Sequence, residues 1–478
     1  MKLIKETFAM LSSNLVNNVL NIVRGFVVAR FLGPTQYGII KFLEMIPQMS
    51  KYGDLGFTTV ALREIPYYRG KENKDKEILA RDIAYSAELI LTLVLVSIFI
   101  SAVAFINDKI IIIGVVSYSF LLLFQKILRI FRTEAIIQKK FIVLSKIIII
   151  NGMISSIGVI ATVPFIGIYS IFFIPPISLF LTIIFAKLNL EIPYKFRIIK
   201  KEFLRQTRIG IPLSINSILT GLYRYIEKIS IGYFLGVKFV GFYGLATVFM
   251  NLIVGNSSLL IRVVQPRIYE AIGKERIDDA LYTVQYSTKC VLYILSVIIG
   301  AGLINMQWLI ELLLPNYKDG IFAYYGLLLV SYINISYAFV RTILYAPEVN
   351  KLKELVYISL SSVIIFILIL LSLKIFNRIT FENIIIADIV GFTFRVIPFY
   401  FIFFFHFKLS KIEIINYLKI IFFPILPILI LFYLHLFYSN FLIGNIVFLN
   451  IIMFIISIGY LYTSYTTFKL IESLSTNN

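Results

Sequence analysis

The sequence predicts an all-α polytopic membrane protein of about 14 transmembrane helices. Two pseudo-symmetric six-helix lobes are expected around a central cleft, with two C-terminal helices appended. Three observations carry this expectation. Of 478 residues, 59% are hydrophobic and 15% are charged, and the mean hydropathy is +0.90, far from the balance of a soluble domain. Apolar runs long enough to cross a bilayer recur along the whole chain. A segment near the N-terminus also recurs in the middle of the chain: FLGPTQYG (31–38) pairs without a gap with FLGVKFVG (234–241), an offset of 203 residues.

The spans are expected, in order, at roughly 8–32, 37–62, 84–106, 110–131, 143–165, 168–188, 209–235, 240–266, 286–306, 321–345, 354–376, 383–405, 417–437 and 442–468. The opening MKLIKETFAMLSS lacks a signal-peptide cleavage pattern and runs into apolar sequence, so it is expected to be a retained first span. With both termini cytoplasmic, the inner connections hold nearly all the basic residues. Arg63, Arg69, Lys71, Lys74, Lys76 and Arg81 follow span 2, and Lys195, Arg197, Lys200, Lys201, Arg205 and Arg208 follow span 6. The outer connections hold Lys109, Lys238, Lys318, Lys374 and Arg378. The positive-inside rule fixes this orientation and accounts for the net charge of +19 without a nucleic-acid partner.

The repeat sets the domain organisation. Its offset matches Phe31, Leu32, Gly33 and Gly38, falls at the outer turn after spans 1 and 7, and pairs Ile65 with Ile268. An even number of spans per unit makes the repeats parallel. The expected divisions are therefore 1–202 (spans 1–6), 203–405 (spans 7–12) and 406–478 (spans 13 and 14).

Several function classes are excluded. Cys290 is the single cysteine, and His406 and His435 are the two histidines, so a disulfide framework or a cysteine- or histidine-rich metal site is not expected. No GxxxxGK[ST] loop is present to bind ATP. The connections are too short for a soluble catalytic domain or the long outer loop of a membrane-embedded glycan polymerase, so no enzyme is expected. The energy source is then an ion gradient, the membrane potential or the substrate's own gradient.

Helical spacing sorts the intramembrane polar residues by face. Span 1 presents Asn14, Asn17, Asn21 and Arg24, and span 2 presents Lys41, Glu44, Gln48 and Lys51. Span 7 presents Asn216, Thr220, Arg224 and Glu227 with Tyr223 beside them, and span 8 presents Asn251, Gly255, Ser258, Arg262 and Gln265. Charge within a bilayer costs on the order of 2.5–3.5 kcal/mol per residue on insertion scales and faces a cavity or a bundle interior. A cleft lined by these four helices is one solution. Interhelical staples, Arg24 with Glu44 and Lys228 with Glu227 or another acid, are the other. Bases outnumber acids in the stripes, which points to an anionic cargo, and arginine suits phosphate. The asparagines and Tyr223 add the neutral donors and acceptors that a sugar needs. Arg30, near the outer end of span 1, is expected to snorkel. Pro47, Pro212 and Pro398 could break helices that bend.

ARFLGPTQYG (29–38), DLGFTTVALREI (54–65) and IPLSINSILTGLYRYIEKISIGYFLG (211–236) resemble the polysaccharide (O-antigen type) flippases of the multidrug/oligosaccharidyl-lipid/polysaccharide exporter superfamily. The resemblance covers roughly the first 350 residues by motif and the whole chain by span count. It implies a cell-membrane flippase that turns a polyprenyl-diphosphate-linked oligosaccharide from the cytoplasmic to the external face by alternating access. Arg24 and Arg224 match the kind of position held by that family's cavity cations, and Asn17, Asn21, Lys41, Gln48, Asn216, Tyr223, Asn251 and Arg262 complete the expected substrate set. Glu44 and Glu227 are the expected ion-coupling carboxylates, Glu227 standing where the family often has an aspartate. Coupling to Na+ or H+ without a cofactor, and polymerase or ligase partners, follow from the same resemblance. A lipid II flippase or an ion-coupled multidrug exporter is the alternative within the superfamily.

Overall fold

The structure is a computed structural model in which residues 2–49, 55–70, 72–346, 349, 351–438, 449–463 and 466 are described. Every regular element among them is helical. Ten segments are long and apolar enough to cross a membrane, as expected of an all-α polytopic membrane protein. The chain divides into two compact units, Met1–Gly244 and Leu245–Asn478.

The first unit contains α1 (Lys2–Leu43), α2 (Met45–Met49), α3 (Phe57–Gly70), α4 (Lys74–Ala102), α5 (Lys109–Ile137), α6 (Phe141–Ile166), α7 (Tyr169–Asn189), α8 (Lys200–Leu235) and the first turns of α9 (Val237–Gly273). At 42 and 36 residues, α1 and α8 are long enough to span. The side chains of Asn73 and Asp108 accept the first free amides of α4 and α5, from Lys76 and from Ile110 and Ile111. Helix α1 packs along α6, and α7 packs on both α5 and α6. Gly152 of α6 makes the first contact possible, since a Cβ there would overlap the Asn17 side chain.

Two segments differ from the expected spans. Span 2 is interrupted: α1 ends at Leu43, Glu44 occupies the break, and α2 and α3 follow. Lys51, Gly53 and Asp54, read as part of that span, lie outside the described residues. Span 10 is likewise broken at Tyr337 into two helices. By contrast, Pro398 leaves its helix continuous from Phe381 to His406.

The internal repeat has a structural counterpart. The turn after span 1 is one residue, Gly33, with φ 69° and ψ 173°. Gly236, 203 positions later, has φ 92° and ψ 170°. Both need the left-handed region that only glycine enters freely. A few residues on, the two copies meet: a Cβ on Gly38 would overlap the Val237 carbonyl, and one on Gly241 would overlap the Pro34 carbonyl. Pro34 and Val237, like Gly38 and Gly241, are 203 positions apart, so the contact repeats itself under the offset. Ile65 and Ile268 are both fully buried.

A charged network joins α3, α4, α5 and α8. Arg81 bridges Glu134 at 3.3 Å and Glu77 at 3.0 Å, and Arg69 also binds Glu77 at 2.7 Å. The Tyr85 hydroxyl donates to Glu134 at 2.8 Å. Lys126 pairs with buried Glu88 at 3.0 Å, Arg129 approaches the same carboxylate at 3.8 Å, and Thr58 donates to it at 3.0 Å. Arg205 grips Glu64 with two bonds of 2.6 Å and also binds Glu202. Topology alone was expected to explain Arg69, Arg81 and Arg205; each is in fact an interhelical tie. The segment between α7 and α8 is tied down too, its Lys195 and Arg197 amides donating to Asp82 and Ser86.

The second unit continues α9 and adds α10 (Ile277–Leu313), α11 (Ile321–Ser336), α12 (Ala338–Leu344), α13 (Leu352–Ile375), α14 (Phe381–His406), α15 (Lys411–Phe422), α16 (Leu426–Tyr438) and α17 (Leu449–Thr463). Ser410 and Glu413 form a reciprocal cap on α15. The turn at 423–425 separates α15 from α16, and beside it the Tyr332 hydroxyl donates to the Ile421 carbonyl at 2.5 Å. Asn305 and Asn450 exchange amide hydrogen bonds of 2.8 and 2.9 Å, tying α17 to α10.

Candidate functional site

The site is a group of charged side chains inside the first unit. On α1, Asn17, Asn21 and Arg24 follow one another at helical spacing, and the Asn21 amide donates to the Asn17 side chain at 3.4 Å. The Arg24 guanidinium reaches α6 and donates to the Ser155 hydroxyl at 2.8 Å. A turn beyond Gly33 and Pro34, the Lys41 ammonium binds both Glu44 oxygens at 2.9 and 3.1 Å and lies 5.1 Å over the Tyr37 ring. Gly244 of α9 allows this, since a Cβ there would collide with the Lys41 chain.

On α8, Arg224 binds Glu227 at 2.9 Å and donates to the Tyr243 hydroxyl of α9 at 3.1 Å. Glu227 is fully buried and Lys228 is 7% exposed. These residues form one electrostatic group. Glu44 feels the charges of Lys41, Lys228 and Arg24, and Lys228 those of Glu44, Lys41, Glu227 and Arg224. The buried phenols of Tyr37 and Tyr118 face the same charges.

Among the described residues Arg24, Lys41, Arg224 and Lys228 thus share an electrostatic group with Glu44 and Glu227, an excess of two positive charges. Such an arrangement can attract an anion and give it several charge-assisted hydrogen bonds in surroundings where each is stronger than in water.

The structure brings together five of the residues that the stripes singled out, Arg24, Lys41, Glu44, Arg224 and Glu227. The staple expected between Arg24 and Glu44 is replaced by Lys41–Glu44 and Arg24–Ser155, and Glu227 takes Arg224 rather than Lys228. Asn17 and Asn21 lie along α1 below Arg24. Gln48 is half-buried in α2 just past the break at Glu44, and Tyr223 is buried on α8. Asn251 is exposed on the part of α9 that belongs to the second unit. The side chains of Asn14, Asn216 and Arg262 lie outside the described residues. Sequence reasoning missed Ser155, Tyr118 and Tyr243. It also missed Tyr37, although Tyr37 stands one turn before Lys41 and helical spacing puts both on one face.

This arrangement of helices is similar to that of several solved structures. The chain is similar to the lipid II flippase MurJ in an inward closed conformation, with a TM-score of 0.71 at 16% identity over 96% of this chain and 98% of that one. It is also similar to an inward-facing multidrug resistance transporter of the MATE family, with a TM-score of 0.61 at 14% identity over 84% and 99%. A mutant of the Vibrio cholerae MATE transporter VcmN gives 0.59 at 11% over 87% and 98%. No curated protein sequence matches the chain. The model of the polysaccharide biosynthesis protein family matches residues 3–271, more than half of the chain, and the protein belongs to that family.

Proposed function

We propose that this protein is a flippase that moves a polyprenyl-diphosphate-linked oligosaccharide from the cytoplasmic to the external leaflet for surface polysaccharide assembly. The observation that carries the proposal is the excess of buried and half-buried cations contributed by both copies of the repeat, Arg24 and Lys41 from the first and Arg224 and Lys228 from the second. A diphosphate matches that charge, and guanidinium groups bind phosphate oxygens in pairs. Asn17, Asn21 and Tyr223 offer hydroxyl-matching groups for the sugar, and Gln48, Asn216, Asn251 and Arg262 extend the same polar faces. The isoprenoid tail stays in the bilayer.

The working frame is two six-helix lobes, residues 1–202 and 203–405, with 406–478 as accessory helices, about fourteen spans in all and both termini cytoplasmic. Rocking of the lobes exposes the cations to one face and then the other. No bond is made or broken. Glu44 and Glu227 hold two of the four bases while the site is empty. A proton or Na+ that takes their place on these carboxylates frees Lys41 and Arg224 for the substrate, which is a route for ion coupling. Polymerases or ligases receive the product outside.

Lipid II transport is a second reading, favoured by the likeness to the lipid II flippase over 96% of the chain. Gene deletion separates the two. The flippase reading expects one surface glycan's lipid-linked precursor to accumulate on the cytoplasmic leaflet while peptidoglycan synthesis continues. An intact surface glycan without accumulation overturns it, and accumulation of lipid II supports the second reading.

A further inference from the structure

The geometry points to a binding groove for an anionic phospholipid in the second unit. Between α10 and α15 lies a cavity of about 330 Å³ lined by Gln285, Tyr286, Lys289, Asn416 and Lys419. Tyr293 and Phe423 close its far end and also line a second cavity of about 340 Å³, whose other walls are Pro427 of α16 and Ile456, Gly459 and Tyr460 of α17. One groove therefore passes from a polar, cationic mouth into an apolar channel, with the edge-to-face pair Tyr293–Tyr460 at the junction, ring centroids 4.9 Å apart.

Charge selects the occupant. Neither Lys289 nor Lys419 has a carboxylate partner among the described residues; the Lys289 ammonium instead lies 6.0 Å over the Tyr293 ring. Glu413, the acid on α15, is held at the helix start by Ser410. The amides of Gln285 and Asn416 can donate to phosphate or glycerol oxygens beside the lysines. The channel has room for a chain at its glycine, since a Cβ on Gly459 would meet nothing within 4 Å. In the orientation proposed above, Lys289 and Lys419 fall about 5 and 3 Å inside the cytoplasmic ends of the expected spans 286–306 and 417–437. That is the depth at which lysine reaches lipid headgroups, and basic pockets between spans on this side recognise anionic ones. A two-chain anionic lipid places its phosphate between the lysines and one acyl chain past Tyr293 toward Gly459. Bound there, it ties the accessory helices α15, α16 and α17 to α10.

The test uses the full chain, delipidated in mild detergent and then offered dioleoylphosphatidylglycerol or dioleoylphosphatidylcholine, with retained lipid read by native mass spectrometry. Wild type should retain phosphatidylglycerol in preference. Lys289→Gln and Lys419→Gln should each lower that retention about fivefold. Gly459→Leu, which fills open space and leaves the packing of α17 intact, should lower retention of both lipids. Arg24→Ala should change neither. Equal retention of the two lipids by wild type, or wild-type retention by the double lysine variant, overturns the assignment. So does displacement of phosphatidylglycerol by equimolar polyprenyl phosphate, which would make the groove part of the substrate path.

Discussion

In the first unit two sets of charged side chains lie within the same run of helices, and they are built differently. In the network of α3, α4, α5 and α8, Arg69, Arg81, Lys126, Arg129 and Arg205 face Glu64, Glu77, Glu88, Glu134 and Glu202, with most ties running between helices. The set is neutral, and neighbouring hydroxyls fill further positions. In the site, both carboxylates are taken by a base three residues away on the chain, Lys41 with Glu44 and Arg224 with Glu227. Each ion pair is local in sequence, with Arg224 also donating to Tyr243 of α9, and Arg24 and Lys228 bring charge beyond the two pairs. A balanced set that crosses helices holds a bundle in one arrangement. An unbalanced set paired locally can exchange its partners for a ligand without loosening the bundle.

The largest effect on folding should come from breaking the balanced set. Glu134→Ala leaves Arg81, 3% exposed, without its buried partner, and strands the Tyr85 hydroxyl. A loss of about 3–5 kcal/mol is expected, as for other broken buried pairs, seen as a steep fall in yield and in the thermal unfolding midpoint in detergent. A smaller effect should follow a change that involves no charge. Gly38→Ala drives a methyl group toward the Val237 carbonyl, and backbone cannot step aside cheaply. About 1–3 kcal/mol should be lost, and Gly241→Ala should cost a similar amount because it meets the matching carbonyl of Pro34. The smallest effect on folding should come from the site. The double variant Lys41→Met, Glu44→Leu removes both partners of a local pair and should move stability by under about 1 kcal/mol, while flipping in proteoliposomes falls. If the double variant unfolds the protein as readily as Glu134→Ala does, the distinction between the two sets is lost.

How much of this was legible beforehand depended on whether a feature is local in sequence. The spans show in apolar runs, the repeat in FLGPTQYG and FLGVKFVG, and the polar face of α1 in the spacing of Asn17, Asn21 and Arg24. The break at Glu44 showed only through Pro47, which has no N–H to offer the Leu43 carbonyl, because an apolar run of the right length reads as one span whether or not its hydrogen bonding is interrupted. The partners of Arg24 and Arg81 did not show either: Ser155 and Glu134 lie 131 and 53 residues away, and which serine or glutamate meets a given arginine is decided by helix packing. Basic residues read by the positive-inside rule were assigned to topology, yet Arg81 and Arg205 also tie helices together. Gly38 and Gly241 matched in the repeat, but only coordinates reveal that each makes room for the other's neighbourhood.

Arg24 gives the most direct test, since its one described hydrogen bond from the side chain is to a neutral serine and its loss breaks no ion pair seen among the described residues. The measurement is flipping of a polyprenyl-diphosphate-linked oligosaccharide by purified Arg24→Ala in proteoliposomes, alongside its thermal unfolding. The account predicts wild-type insertion and unfolding with flipping reduced roughly 10- to 100-fold, the value of a charged hydrogen bond to phosphate. Flipping at the wild-type rate by that variant would contradict it.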